Sequence, residues 1–511
     1  MSSTDRRTFL RSVGAGALGA TVYALDGAAQ PRAGRQKRPN LLLLMTDQHR
    51  SDCLGCAGNS IIRTPNLDRI AANGVRFRRA YTSTPSCTPA RSALLTGLAP
   101  WHHGMLGYGR VAEHYPVEMP RALRDAGYWT FGIGKMHWFP QRTLHGFHGT
   151  LLDESGRAES PGFVSDYRRW FKSQAPDKDP DATGIDWNDY RARVYQLPEE
   201  LHPTMWMGNE ATAFIEAYDK PEPFYLKVSF ARPHSPYDPP QRFWNLYRTE
   251  DMPAPVVGDW AARHAEHADP PPPGLAQGDL GVKTAQEARH GYYASVTFID
   301  EQIGRILDAL ARNGLDKNTL ILFIADHGDM LGDHHLWRKT YPYESSAGIP
   351  MLLQWPEGYP AAVERGSVLE QPVEIRDVFP TFMDAAGQPI PEGIDGRSLL
   401  GLVRGETDWR PYLDLEHATC YFEWNNWNAL TDGRWKYVWF APEGREQLFD
   451  LDADPHELRN LAEDPAHAAM LATWRERMVA HFAERGPEFV QDGKLVAGRK
   501  KILYSPLFPE A

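Results

Sequence analysis

Cysteine is scarce in this chain. Only four of the 511 residues are cysteines, at positions 53, 56, 87 and 420, which excludes a disulfide-rich scaffold. Cys53 and Cys56 have the C-x-x-C spacing of redox and metal sites, but no second pair of this spacing accompanies them. We therefore interpret these two as small buried residues rather than as a reactive pair.

A net positive charge and long apolar runs are also absent. The formal net charge is −11, and nucleic acid would repel a chain without a basic surface, so we expect no nucleic-acid partner. No segment beyond the N-terminal region reaches the roughly 18 uninterrupted apolar residues of a membrane-spanning helix, so we expect no stable membrane association. With 42% apolar residues the chain can instead bury a large core.

The N-terminus departs from this acidic balance. Its sequence STDRRTFLRSVGAGALGATVYALDGAAQ places a twin arginine, Arg6–Arg7, before a weakly apolar Gly/Ala-rich run and a small-residue site at 27–29. This pattern is typical of a bacterial twin-arginine export signal, with a disordered basic tail as the alternative. We predict that residues 1–36 are signal and linker, that the twin-arginine export machinery is a partner, and that the mature protein is periplasmic or secreted.

Four short apolar runs indicate the fold. Each is bounded by turn residues and ends in charged or imidazole side chains, as in parallel strands buried on both faces. Helical patterns such as TPNLDRIAANGV and YYASVTFIDEQIGRILDALARNG lie between them. The alternation predicts an α/β fold over residues 37–403, with a large doubly wound, mixed but mainly parallel sheet flanked by helices. The four runs are PNLLLLMTDQ, YWTFGIGKMH, PFYLKVSFARPH and NTLILFIADHGD.

The predicted secondary-structure pattern of the chain changes after about residue 400. NALTDGRWKYVWFAPEGREQLFDL alternates with turn signals and predicts antiparallel strands. DPAHAAMLATWRERMVAHFAERG predicts one amphipathic helix, with Met470, Trp474 and Met478 at four-residue spacing. We therefore predict a smaller C-terminal α+β domain over residues 404–511.

Ligands bind beyond the carboxyl ends of the strands in such sheets, and two of the runs end in metal-ligating residue types. Asp47 and Gln48 follow the first run, and Asp326 and His327 follow the last. Carboxylate and amide oxygens suit Ca²⁺ or Mg²⁺, whereas the imidazole also accepts Mn²⁺ or Zn²⁺. We predict one divalent metal, with Ca²⁺ favoured. Taken singly, each aspartate also suits a helix N-cap, and His327 suits a hydrogen-bonded core histidine.

Cations and candidate nucleophiles occur in segments rich in glycine, proline, serine or aromatic residues. Cations around a divalent metal would bind a tetrahedral oxyanion and neutralise charge on its oxygens, although each alone could be a solvated loop charge. These cationic or imidazole residues are Arg91, Lys135, His137, His234 and Lys339. The segment TSTPSCTPARSALLTG, residues 82–97, supplies the candidate nucleophiles Ser83, Thr84, Ser86, Cys87 and Thr88.

Several of these segments resemble the sequence motifs of a known protein family. CTPAR, from Cys87 to Arg91, has the C-x-P-x-R core of the type I sulfatases, and TPARSALLTG extends it in the family's manner. The similarity continues from residue 39 to about 470, through GIGKMHWFP, ARPHSPYDPP, ADHGDMLGDHHLWRKTYPYE and GREQLFDLDADPHELRNLA. The resemblance implies the alkaline phosphatase-like fold and a sulfuric ester hydrolase of the arylsulfatase type.

In that family a maturation enzyme oxidises the motif cysteine to formylglycine, and the resemblance implies this fate for Cys87. One hydroxyl of the aldehyde hydrate attacks sulfur and expels the alcohol. The other hydroxyl then loses its proton and collapses to the aldehyde, which expels inorganic sulfate. The resemblance therefore implies a formylglycine-generating enzyme as a partner, acting on the extended chain.

The resemblance also assigns roles residue by residue. Lys135 and His137 match the lysine and histidine beside the nucleophile, with His137 as the base for the collapse. His234 and Lys339 match positions that bind the sulfate and protonate the leaving oxygen, Lys135 shares in substrate binding, and Arg91 would hold the modified cysteine. The positions that match metal ligands are Asp47, Gln48, Cys87, Asp326 and His327.

Two residues depart from the pattern of many sulfatases. Gln48 stands where a second aspartate is common, and His327 where asparagine is common. This combination also resembles phosphonate monoester hydrolases and phosphodiesterases of the same superfamily. We expect sulfate ester hydrolysis, with phosphonate monoester or phosphodiester hydrolysis as the alternative. A non-catalytic sulfated-sugar-binding protein is less favoured, because every matched position holds a chemically competent residue.

The substrate is expected to be a sulfated small molecule or carbohydrate. Its recognition is expected from loops at 141–205 and 255–285 and from the C-terminal domain, where YFEWNNWN covers residues 421–428. Aromatic and amide side chains suit a sugar face, but core packing predicts the same composition.

Overall fold

The structure, a computed structural model, describes residues 38–418 and 420–509, so the expected export signal lies outside the described residues. The strands are β1 (Asn40–Asp47), β2 (Val75–Phe77), β3 (Ala80–Tyr81), β4 (Trp129–Gly134), β5 (Gly149–Leu152), β6 (Phe224–Pro233), β7 (Thr319–Ala325), β8 (Met351–Gln354), β9 (Ser367–Leu369), β10 (Val373–Glu374), β11 (Leu413–His417), β12 (Trp427–Thr431), β13 (Trp435–Phe440), β14 (Arg445–Asp450), β15 (Val490–Gln491) and β16 (Lys494–Leu495). The helices are α1 (Pro65–Ala72), α2 (Cys87–Thr96), α3 (Pro100–His103), α4 (Met119–Asp125), α5 (Asp166–Gln174), α6 (Pro203–Ala217), α7 (Gln241–Trp244), α8 (Gly281–Arg312), α9 (Glu344–Ala347), α10 (Val378–Ala385), α11 (Leu399–Val403) and α12 (Ala468–His481).

The main sheet has eight strands in the order β5-β4-β6-β1-β7-β8-β2-β9. Strand β8 pairs antiparallel with both of its neighbours, and the other pairings are parallel, so the prediction of a mixed, mainly parallel sheet is confirmed. The four apolar runs of the sequence form β4, β6, β1 and β7, which are consecutive neighbours in this order. Their carboxyl ends therefore meet at one edge.

Both faces of the sheet are covered, which explains why the runs are continuously apolar. Along β1, Leu41 and Leu43 pack into one core cluster, while Leu42 and Leu44 pack into a cluster on the other face. Helices α2, α4, α10 and α11 contribute to the first cluster, and α1, α6 and α8 contribute to the second. A fully buried strand has no polar face to expose, so alternation is absent from its sequence.

The pairing of β1 with β6 becomes irregular where the sheet reaches this edge. The parallel register of the two strands shifts between Thr46 and Asp47, so that Asp47 is opposite Pro233. Such an irregularity redirects side chains at the end of a strand. It brings the segments that carry Asp47 and His234 together, and the His234 N–H donates to the Asp47 carbonyl at 3.0 Å.

The C-terminal residues form the expected smaller α+β unit. Strands β11 to β14 make an antiparallel sheet in sequence order, and α12 packs on it through Leu471, Trp474 and Met478. Strand β11 was not among the predicted strands, because it precedes the alternating segment. Within the described residues, no helix combines the length and apolar character needed to cross a bilayer.

His102 connects the C-terminal unit to the main body. Its Nδ1 lies 2.7 Å from an Asp395 oxygen and its Nε2 lies 3.3 Å from a Glu484 oxygen. The hydrogen bond to Asp395 is the main reason that the pKa of His102 is raised to about 9, and Glu484 also contributes. Because the pKa of His102 is higher in the folded than in the unfolded chain, its protonation stabilises the fold. The stabilisation is complete at pH values below the unfolded-state pKa and is lost as pH rises through the folded-state pKa.

We therefore expect His102→Gln to lower the free energy of unfolding at about pH 6, and to have little effect at about pH 10. The loss is expected to be about 1 kcal/mol or less, because a third of the side chain is exposed to solvent. Denaturant titrations of both proteins at the two pH values measure this difference. A loss that is equal at both pH values would contradict the ion-pair assignment.

Candidate active site

Cys87 is the first residue of α2 and is only 1% exposed. Ser86 before it has extended backbone angles, φ −158° and ψ 144°, so the chain turns sharply into the helix at the cysteine. The Cys87 Sγ lies 3.2 Å from His327 Nε2 and 3.7 Å from Asp47 Oδ1. Burial and Asp47 raise the pKa of this thiol, but Lys135, Lys339 and His327 outweigh them and lower it to about 7.

Four predicted metal-ligand residues converge at this point. Asp47 ends β1, Asp326 and His327 follow β7, and Cys87 begins α2. Within the described residues, one ligand atom from each lies within 4.8 Å of the ligand atoms of the other three, and all four residues are buried. His327 Nδ1 donates to the Gly328 carbonyl at 2.9 Å, which leaves Nε2 facing the cluster. This donor set fits a divalent cation.

Arg91 and Lys135 hold the carboxylates of this cluster. Arg91 donates to Asp326 Oδ2 at 3.0 Å and to Asp47 Oδ2 at 3.2 Å, and Lys135 Nζ donates to Asp47 Oδ2. Burial raises the pKa of Asp47, but Lys135 and other nearby cations outweigh it and hold that pKa well below its usual range. Arg91 also donates to Ser229 Oγ and to the Lys135 carbonyl, so its contacts fix the positions of the Asp47 and Asp326 carboxylates. Its predicted role in holding the modified cysteine stays a prediction.

Lys339, His234 and Gln48 form a second hydrogen-bonded group beside the cluster. Lys339 Nζ donates to Gln48 Oε1 at 2.8 Å and to His234 Nε2 at 2.6 Å. His234 Nδ1 donates to the Ser235 carbonyl, and burial together with Lys339 keeps the pKa of His234 well below its usual range. His234 is therefore neutral, with Nε2 as the acceptor. Because the Gln48 amide oxygen faces Lys339, its role as a metal ligand stays a prediction.

His137 lies next to the same site with both ring nitrogens buried and without a hydrogen-bond partner among the described residues. Burial and the nearby Arg157 and Lys135 hold its pKa well below the usual range, so the ring is neutral and one of its nitrogens has a free lone pair. Its backbone is left-handed, with φ 61°, which is unfavourable for a non-glycine residue. The Glu154 carboxylate accepts its N–H at 3.0 Å and also that of Met136, which stabilises this conformation.

Other left-handed residues mark the same site. Gln48 has φ 66°, and Arg338 and Thr340 on either side of Lys339 have φ 67° and φ 83°. Such conformations persist only where surrounding contacts determine them, and they concentrate at functional sites.

The C-terminal unit provides these contacts around Lys339. Asn425 Nδ2 donates to Thr340 Oγ1 at 2.8 Å, and Trp427 Nε1 donates to the Thr340 carbonyl at 2.8 Å. Thr340 N–H in turn donates to the Pro85 carbonyl, close to the nucleophile. Asn425 and Trp427, both from the 421–428 segment, therefore hold the backbone beside Lys339, and the C-terminal unit is part of the active site's support.

We expect Asn425→Ala to lower kcat/KM by about tenfold or more, because displacement of Lys339 misplaces a group that is predicted to bind the substrate. Asn428→Ala is the matched control, since Asn428 is also buried but bonds to Glu416 instead. Steady-state kinetics of both variants measure the loss of activity, and melting curves measure any loss of stability. Together they distinguish the displacement of Lys339 from a general destabilisation of the fold. Equal kcat/KM in the two variants would contradict this supporting role.

A cleft of about 370 Å³ opens beside the cluster and is lined by Cys87 and Lys339. Its rim includes Arg157 and Trp187 from the predicted 141–205 loop and Tyr421 from the C-terminal unit. The predicted 255–285 loop supplies no lining residue to this cleft among the described residues. It supports the rim instead, since the Gly274 carbonyl accepts a bond from Arg338 at 2.9 Å.

Ten site residues were predicted from the sequence, and all of them are buried around this cleft or the cluster behind it. Two further residues of the site were not predicted: Glu154, which has no sequence signal, and Asp329, which lies in the ADHGD segment. Asp329 Oδ2 accepts the Tyr237 hydroxyl at 2.5 Å and a bond from the Gln48 amide, and so orients that amide. Cys53 and Cys56 are free, and burial above all raises the pKa of both thiols, so neither is activated.

Comparison with known proteins agrees with this geometry. The sulfatase family model matches residues 39–388, and the model for the C-terminal part of N-sulphoglucosamine sulphohydrolases matches residues 332–484. An arylsulfatase from Clostridium perfringens is 38% identical, covering 90% of this chain and 98% of its own. A choline-sulfatase from Rhizobium meliloti is 32% identical, covering 87% of each chain.

Among solved structures, a phosphonate monoester hydrolase of Agrobacterium radiobacter superposes with a TM-score of 0.75 at 26% identity, covering 88% of this chain and 96% of that chain. This similarity is consistent with the fold of the alkaline phosphatase superfamily. The family model, which matches most of the chain, and the arylsulfatase relative both indicate a sulfatase. The chain therefore belongs to the sulfatase family of sulfuric ester hydrolases.

Proposed function

We propose that this protein hydrolyses sulfate esters to an alcohol and inorganic sulfate, with a formylglycine made from Cys87 and one divalent metal. The observation that carries the proposal is the convergence of Cys87 with Asp47, Asp326 and His327 in one buried cluster. A cysteine among hard ligands and cations is unsuited to a structural role, whereas an oxygen nucleophile made from it suits both the metal and a sulfate.

The donor set favours Ca²⁺, with Mg²⁺, Mn²⁺ or Zn²⁺ as alternatives. Two carboxylates supply hard oxygen ligands, the modified Cys87 would supply a further oxygen, and His327 supplies one nitrogen. Gln48 is a fifth proposed ligand. The metal would polarise a sulfate oxygen and favour the ionised form of the nucleophile.

The other residues of the site perform the proton transfers. Lys339 donates a hydrogen bond to His234 Nε2, and this pair is proposed to bind the sulfate. The proton that the two residues share is proposed to go to the oxygen of the leaving alcohol. His137 is neutral and unpartnered, and is proposed to accept the proton whose loss releases the product. Lys135 neutralises charge on Asp47 and on the substrate.

Phosphonate monoester or phosphodiester hydrolysis is the second candidate. It is supported by Gln48 and His327 at the metal site and by the similarity to the Agrobacterium phosphonate monoester hydrolase. Sulfate ester hydrolysis is favoured by the arylsulfatase and choline-sulfatase relatives, which are more similar to this chain in sequence than the phosphonate monoester hydrolase is. Non-catalytic sugar binding is disfavoured by the complete set of reactive groups.

The test compares kcat/KM for 4-nitrophenyl sulfate and a 4-nitrophenyl phosphonate, using protein produced with the maturation enzyme. We expect the sulfate ester to be preferred by at least about tenfold. A clear preference for the phosphonate would assign the protein to the second candidate. The Cys87→Ala variant, assayed in parallel, excludes a contaminating hydrolase.

We further propose that the maturation enzyme modifies Cys87 in the cytoplasm and that the folded protein then leaves by the twin-arginine route. The burial of Cys87 in the folded chain agrees with modification before folding. The periplasmic or extracellular location depends on the N-terminal sequence alone. Fractionation of the native host tests it.

A further inference from the structure

The rim of the active-site cleft carries two arginines that the reaction does not use. Arg157 lies over the Trp187 ring, with its guanidinium carbon 3.5 Å from the ring centroid. Arg338 lies over the Tyr421 ring at 4.2 Å. All four residues line the cleft that also contains Cys87. The two stacks come from different segments of the chain, so they form two separate flat, cationic surfaces.

Neither guanidinium forms an ion pair within the part of the chain that the structure describes. Arg157 Nη1 and Arg338 Nε are buried and have no hydrogen-bond partner there. Burying a charged donor without a partner is unfavourable, so these groups are suited to a ligand that accepts hydrogen bonds. Stacking on an aromatic ring also fixes the plane of each guanidinium and its fork of donors.

Two carboxylates share the cleft with these cations. Asp186 Oδ1 accepts the Trp187 N–H at 2.7 Å, whereas Glu159 Oε1 lies 3.7 Å from the neutral His137, beyond hydrogen-bond distance. Positive charge still predominates, because Arg157, Arg338 and Lys339 all line the cleft. The rim favours an anionic group on the substrate over a cationic one.

We propose that Arg157 and Arg338 select sulfate esters whose alcohol part carries a second anionic group, a carboxylate or a further sulfate, on a flat ring. Trp187 and Tyr421 hold the planes of the two guanidinium groups. This inference rests on the proposed sulfatase function, since it assigns the alcohol end of that substrate. It makes both arginines specificity-determining residues.

The test uses 3-carboxyphenyl sulfate and 3-carbamoylphenyl sulfate, which match in shape and differ in charge. The wild-type protein is expected to prefer the carboxylate by about tenfold in kcat/KM, the size of one partly exposed charge-assisted hydrogen bond. In Arg157→Gln and Arg338→Gln the preference is expected to fall to about threefold or less. Arg110→Gln is the matched control, because Arg110 stacks on Phe139 at 3.8 Å but does not line the cleft.

Calorimetric binding of the sulfate-free alcohols keeps this test independent of turnover. 3-Hydroxybenzoate is expected to bind the wild-type protein more tightly than 3-hydroxybenzamide, and Arg157→Gln to remove the difference. Equal affinity, tighter binding of a 3-hydroxyphenyl trimethylammonium ion, or a preference that survives in both variants would overturn the inference. If neither ester is cleaved while 3-hydroxybenzoate binds selectively, the proposed sulfatase function is wrong. The preference of the two arginines for an anionic group is then still supported.

Discussion

Cys87→Ser is expected to lose multiple turnover by about 10⁴-fold or more and to accumulate a covalent sulfate ester on the new side chain. Serine retains one hydroxyl that can attack sulfur, but it lacks the second hydroxyl whose deprotonation expels sulfate. Cys87→Ala, without any nucleophile, is expected to lose both turnover and the covalent product. Intact-protein mass spectrometry after mixing with an aryl sulfate detects the ester as a gain of one SO₃ unit.

Two comparisons make this result specific. Cys56→Ser changes a free, half-buried thiol outside the site and is expected to keep full turnover. The contacts around Cys87 also predict that the Cys87→Ser variant folds, since the two side chains are similar in size. Unchanged turnover in Cys87→Ala would exclude formylglycine chemistry altogether.

Asp326→Asn is expected to have the second largest effect, on both activity and stability. Asp326 accepts bonds from Arg91 Nε and from the backbone N–H groups of Gln48 and His327, all at 3.0 Å, and it is also one of the four clustered residues proposed as metal ligands. Removing its charge leaves the buried Arg91 guanidinium with less compensation. We expect kcat/KM to fall by about 10³-fold, metal affinity to fall, and the free energy of unfolding to fall by about 3 kcal/mol.

Asp308→Asn provides the matched control, because Asp308 pairs with Arg69 on the exposed surface of α8. This variant is expected to keep its activity and metal content and to change stability by less than about 1 kcal/mol. Metal content is measured by mass spectrometry of the purified proteins, and stability by denaturant titration. Full metal content in Asp326→Asn would contradict the proposed ligand set.

The fold and the cluster were predictable because they depend on short-range patterns. A continuous apolar run that ends in Asp47 or Asp326 indicates both a buried strand and the residue at its carboxyl end. Since parallel strands share one edge, the convergence of the metal-ligand residues follows from the topology. The C-x-P-x-R motif then places Cys87 among the same groups.

The supporting contacts were not predictable, because they join segments far apart in sequence. Asn425 reaches Thr340 across 85 positions, and Glu154 supports His137 through backbone N–H groups that carry no sequence signal. The left-handed backbone of Arg338 and Thr340 is set by these contacts rather than by local preference. The pairing of Arg157 with Trp187 likewise depends on how the 141–205 loop folds over the cleft.

The proposed reaction depends on Cys87 as the precursor of the nucleophile. Mass spectrometry of the tryptic peptide Ala80–Arg91, from protein purified out of the native host, tests this directly. We expect a peptide that carries an aldehyde in place of the thiol and that reacts with a hydrazide probe. A peptide that retains an unmodified, alkylatable thiol throughout would contradict it.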